Sequence, residues 1–88
     1  MNREHVKVPL KSDRLRYWLA EQGMSIMELS RRVKVSEKTI RRSLVAEEII
    51  HDLGYMISYA LDIDPYEILD LTGYIDRIVS RVGKRDRA

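Results

Sequence analysis

Lys38, Arg41 and Arg42 lie close together in the segment Ser36-Glu37-Lys38-Thr39-Ile40-Arg41-Arg42-Ser43-Leu44. A guanidinium presents a planar fork that matches guanine O6 and N7 with two hydrogen bonds, and a glutamate such as Glu37 can accept from the exocyclic amine of cytosine. That chemistry is non-covalent reading of a polyanion with hydrogen-bonding edges, and it requires the cations to share one face of a rigid element. A helix provides such a face at about 100° per residue. With Ile40 and Leu44 turned to a core, Lys38 and Arg42 point almost directly away from it. Arg41 then takes one flank with Glu37 nearer the core edge, and Thr39 and Ser43 take the other. Arg31, Arg32 and Lys34, just upstream, are better placed for phosphates, which fix register without carrying sequence information.

The elements that must hold this face are legible as helix signals. Ser36 is expected to cap the cationic helix, and Val33-Lys34-Val35 to form the turn before it. Ser25 and Glu28 make a capping-box pattern at the start of the preceding helix, whose Leu29 and Val33 face inward. Upstream, Ser12 or Asp13 can cap a first helix with the inward stripe Leu15, Trp18 and Leu19, ended by Gly23. A fourth helix is expected from about Glu48 to Leu61, carrying Ile49, Ile50, Leu53, Met56, Ile57, Ala60 and Leu61. Asp64 as cap, Pro65 at the first position and Glu67 three residues after the cap open a fifth, with Ile68, Leu69 and Leu71 docked on the bundle. No strand alternation lasts long enough to compete. The expected fold is therefore all-α, a five-helix bundle over 12–71 with a C-terminal helical extension over 72–82. A mobile basic arm over 1–11, whose Arg3, Lys7 and Lys11 could follow a groove or backbone although disorder is the default reading, and a frayed basic tail over 83–88 flank it.

The formal net charge of +2 conceals segregation by sign. Residues 1–44 hold eleven Lys or Arg against five Asp or Glu, residues 45–76 none against eight, and residues 77–88 five against one. A basic surface for phosphates, with an acidic surface turned away from them, is the reading this partition invites. With 88 residues and 44% hydrophobic content, the chain can build one core and no separate effector or protease domain, so no small-molecule effector is expected. There is no cysteine, hence no disulfide framework and no thiolate metal site. No apolar run approaches the roughly 20 residues that span a bilayer, and the N-terminus lacks the apolar stretch of a signal peptide. A cytoplasmic location without membrane contact is expected.

Several stretches together resemble the helix-turn-helix domains of the phage repressor and Cro type, the xenobiotic-response-element family. They are Leu15-Arg16-Tyr17-Trp18-Leu19, Met24-Ser25, Glu28-Leu29-Ser30, Val35-Ser36-Glu37-Lys38-Thr39-Ile40-Arg41-Arg42 and Leu61-Asp62-Ile63-Asp64-Pro65-Tyr66-Glu67-Ile68-Leu69. The resemblance covers residues 12–71, about two thirds of the chain. It implies that the third helix reads the major groove through Glu37, Lys38, Arg41 and Arg42. It also implies that the starts of helices two and three hold phosphates through Ser25, Ser36 and Thr39 beside Arg31, Arg32 and Lys34, and that pairs of domains occupy pseudo-palindromic operators in double-stranded DNA. Three positions depart from the pattern. Ile26 stands where relatives commonly have glutamine, Lys34 where the turn usually has glycine, and Ser43-Leu44 where an apolar residue and a glutamate usually end helix three.

Tyr74, Ile75, Ile78, Val79 and Val82 recur at three- and four-residue steps and are expected to form a homodimer interface, beyond a break at Gly73. Neither a cofactor nor an enzyme activity is expected. His5 and His51 are read as solvated residues in preference to metal ligands, and Asp62 and Asp64 as turn and cap residues. The expected function is transcriptional regulation, as a small repressor of phage or mobile-element type. The competing reading is a protein-interaction module, antitoxin or adaptor, that docks through the acidic fourth helix and the C-terminal stripe.

Overall fold

A computed structural model describes residues 6–72, a small, mostly helical domain with one two-stranded sheet. The order is β1 (Lys7–Pro9), α1 (Ser12–Glu21), α2 (Ile26–Val33), α3 (Glu37–Ala46), β2 (Glu48–Ile50) and α4 (His51–Leu61), then a 3-10 turn at Pro65–Glu67. Sixteen buried apolar side chains form one core that draws on every element except the 3-10 turn, with Leu15, Leu29, Ile40, Ile57, Leu61, Ile68 and Leu69 fully enclosed.

The helix boundaries follow from local chemistry. Ser25 Oγ accepts from the Glu28 amide at 3.0 Å, and Ser36 Oγ from the Thr39 amide at 3.1 Å, so both predicted caps form. Only half of the capping box does, because the Glu28 carboxylate lies 3.4 Å from Arg32 Nη2 along the helix. At the end of α1, Gly23 has φ of 61°, the Gly23 amide donates to the Ala20 carbonyl and the Met24 amide to the Leu19 carbonyl. That pair of hydrogen bonds is a Schellman ending, sealed by the buried Met24.

Four expectations need correction. The stretch 7–11, read as part of a mobile arm, is ordered: β1 pairs antiparallel with β2 in the register Lys7↔Ile50, Val8↔Ile49, Pro9↔Glu48, and Val8 and Leu10 are buried. Residues 48–50, read as the first turn of the fourth helix, are the partner strand, so α4 begins at His51, and its Met56 is exposed instead of inward. The fifth helix reduces to the 3-10 turn. Its Asp64 cap accepts from the Tyr66 amide at 2.9 Å, but the chain then runs alongside the N-terminal segment, with the Lys11 amide donating to the Ile68 carbonyl and the Asp70 amide to the Pro9 carbonyl. Neither Ser12 nor Asp13 caps α1. The cap position is Lys11, without a side-chain bond, and the buried Ser12 hydroxyl donates to the Leu44 carbonyl at 2.7 Å.

That last bond ties the start of α1 to the last turn of α3. Ser12→Ala would leave the carbonyl without this side-chain donor, and a loss of about 1–3 kcal/mol is expected in urea unfolding. On the other side of α1, Glu67 Oε1 accepts from Arg14 Nη2 at 2.9 Å and Trp18 Nε1 at 3.3 Å, and Lys11 Nζ donates to the Tyr66 carbonyl. The Arg14 and Trp18 hydrogen bonds hold the Glu67 carboxyl below its ordinary value. The Gly73 break, the stripe Tyr74, Ile75, Ile78, Val79 and Val82, and the tail 83–88 lie outside the described residues.

Candidate nucleic-acid interface

The turn between α2 and α3 sets where the cationic face points. Lys34 adopts the left-handed conformation, φ 59° and ψ 41°, and its amide and that of Val35 both close on the Ser30 carbonyl. The chain therefore turns within three residues, and Ser36 caps α3 at once. A side chain at such φ costs roughly 1–2 kcal/mol. Lys34→Gly is accordingly expected to raise stability in thermal unfolding by about 0.5–1 kcal/mol, less than the full strain because glycine also frees the unfolded chain. If Lys34 holds a phosphate, the same variant loses duplex affinity, so stability and binding move in opposite directions.

On α3, Ile40 and Leu44 are buried, while Lys38, Arg41 and Arg42 are exposed together, as the helical wheel requires. Thr39 and Ser43 are half-buried on the flank that faces the sheet, where they line a small cleft with Lys7, Arg42 and Glu48. The Thr39 hydroxyl lies 3.0 Å from Ser36 Oγ, and Ser43 Oγ donates to the Thr39 carbonyl, so the first turn of α3 is braced by its own side chains. Of the residues read as phosphate contacts, Ser25, Arg31, Arg32, Lys34 and Ser36 are exposed and only Thr39 is partly covered.

Charge pairing divides the cations into two kinds. Arg41 Nη2 sits 3.1 Å from Glu37 Oε1, one helical turn back, and Arg32 is paired with Glu28 in the same way. Exposed pairs of this spacing contribute only about 0.3–0.5 kcal/mol, so they orient a guanidinium without committing it. Among the described residues, no carboxylate lies within salt-bridge distance of Lys38, Arg42, Arg31 or Lys34. Glu37 is thus better placed to steer Arg41 than to receive a ligand of its own.

Sequence reasoning missed two features of this surface. Helix α3 runs two residues past Leu44, which adds the exposed Val45 and Ala46 to its outer face. Strand β1 brings Lys7 alongside, and an open groove of about 760 Å³ is lined by Lys7, Lys38, Arg41, Arg42, Val45 and Ala46. The signal for Lys7 was the short alternation Lys7-Val8-Pro9-Leu10, exposed and buried by turns. The charge partition is also less clean in space than along the chain, since Glu48 lines the small cleft beside Lys7 and Arg42.

His51 Nδ1 lies 3.3 Å from Asp52 Oδ1, and no group of three or more potential metal ligands occurs among the described residues. Nor is any helix among them long and apolar enough to cross a membrane. Comparisons of the chain with protein-family models, with curated proteins and with solved structures found no match.

Proposed function

We propose that this protein is a sequence-reading DNA-binding domain of the helix-turn-helix type, similar to phage repressor and Cro domains, that inserts α3 into the major groove. The observation that carries this reading is the joint exposure of Lys38, Arg41 and Arg42 on a capped helix anchored by Ile40 and Leu44. A B-form major groove is about 12 Å wide and admits one helix, so a face with three cations and few carboxylates suits it electrostatically and sterically. Arg41, steered by Glu37, and Arg42 read base edges, with Lys38 beside them. Arg31, Arg32 and Lys34 meet phosphates, as do the helix starts at Ser25 and Ser36, with Thr39 beside the second. Acting in pairs on a pseudo-palindromic operator, such a domain represses transcription by excluding polymerase.

Selection of bound duplexes from a random pool tests this reading. A recurring motif with two half-sites about one helical turn apart is expected, and recovery of no motif would contradict sequence reading. A second reading, a protein-docking module, draws on the exposed Met56 and Tyr59 of α4, which line an open groove with Arg32, Val33 and Ala60. Salt separates the two, because phosphate contacts weaken steeply as salt rises and apolar docking does not.

A further inference from the structure

The N-terminal strand is an unexpected neighbour for the cationic helix. We infer that β1 is a second contact element for DNA, with Lys7 holding a phosphate of the backbone that borders the groove entered by α3. This rests on the reading of α3 as a groove-binding helix and adds to it a residue from the opposite end of the chain.

Three observations support it. First, Lys7 is placed by a fixed backbone. Both ends of the pairing are closed, by the His51 amide donating to the Val6 carbonyl at 2.7 Å and the Leu10 amide to the Glu47 carbonyl at 3.0 Å. Val8 and Leu10 are locked in the core, so the alternation of the strand turns Lys7 outward. Because β2 follows α3 after the single residue Glu47, the partner strand of β1 is tied to the end of α3 by one short connection. Second, Lys7 and Arg42 both line the open groove and the small cleft, the latter also bordered by Glu48, so the two cations face shared concavities. Third, the open groove has four cations and no carboxylate on its walls, with the apolar Val45 and Ala46 beside them. A sugar-phosphate backbone matches that lining, its phosphates toward the cations and its sugar toward Val45, whereas one acidic side chain would bring a single negative charge against four cations.

A lysine held this way loses little freedom on binding, unlike one on a mobile arm. Its contribution is a phosphate contact, which adds affinity and salt dependence without base preference.

The experiment is fluorescence anisotropy of the full chain with a labelled mixed-sequence duplex of about two helical turns, between about 50 and 200 mM NaCl. For Lys7→Gln, the slope of log affinity against log salt is expected to be shallower by about 0.9, one released counterion, with weaker binding at the low-salt end. Lys7→Arg keeps the charge and is expected to keep the wild-type slope. Circular dichroism of Lys7→Gln separates a lost contact from a lost strand. A folded Lys7→Gln with the wild-type slope would overturn the inference while leaving the reading of α3 intact. A wild-type chain that binds without salt dependence would overturn both. If Lys7→Gln does not fold, Lys7→Thr, which suits a strand and removes the charge, is read in the same way, and a folded Lys7→Thr with the wild-type slope overturns it.

Discussion

Arg41→Ala is expected to relax the preference for one base pair of the selected site, costing about 1–3 kcal/mol there, a loss of roughly 5- to 150-fold against that base alone. Arg41 is the only described cation on the outer face of α3 whose guanidinium is already steered, by Glu37 Oε1 at 3.1 Å. An arginine that arrives oriented spends less rotamer freedom on a bidentate contact than a free one. Arg31→Ala provides the contrast. Arg31 is exposed on α2, and under the proposed reading it meets phosphate, so its loss is expected to weaken all sequences about equally and reduce the salt slope by about 0.9. Affinities of both variants across a panel of singly substituted duplexes test the assignment. Identical profiles would contradict it, and a flat profile for Arg41→Ala would move base reading to Lys38 or Arg42.

The second large effect is expected in the core. Ile40 is fully buried on α3, directly opposite the cationic face, and fastens that helix to the domain. Ile40→Ala removes apolar atoms that the surrounding Leu and Ile side chains cannot fully replace, at a cost of about 2–5 kcal/mol. Against a total of about 5–15 kcal/mol for a typical domain, such a loss is a substantial fraction of the stability. Val45→Ala, five residues further on and 81% exposed, is expected to change stability by less than about 0.5 kcal/mol. Urea unfolding of the two variants measures the contrast. Equal losses would mean that α3 is not anchored through its inner face.

What the sequence made legible was chiefly local. The Ser25 and Ser36 caps, the Gly23 ending and the inner stripe of α3 all follow from interactions within a few residues, and each forms where periodicity and cap chemistry place it, whereas the left-handed conformation of Lys34 is set by the structure and carries no local signal of its own. The strands were not legible for the opposite reason. Lys7 pairs with Ile50, far along the chain, and neither three-residue strand carries enough alternation to outweigh a helical reading of Glu48, Ile49 and Ile50. The cap at Asp64 was correctly read, but its helix length was not. The segment after Glu67 instead spends its backbone bonds on Pro9 and Lys11, a tertiary choice without local signature. The same strand pairing explains why the candidate site grew beyond its predicted members: Lys7 enters it only because β1 is there, and Val45 only because α3 extends to Ala46.

The most direct test of α3 as the reading element is amide chemical-shift mapping of the full chain as a selected duplex is added. The largest changes are expected at Ser36 to Ala46, with smaller ones at Ser25, Arg31 to Lys34 and Lys7. Changes concentrated on α4 around Met56 and Tyr59, with α3 silent, would contradict the account.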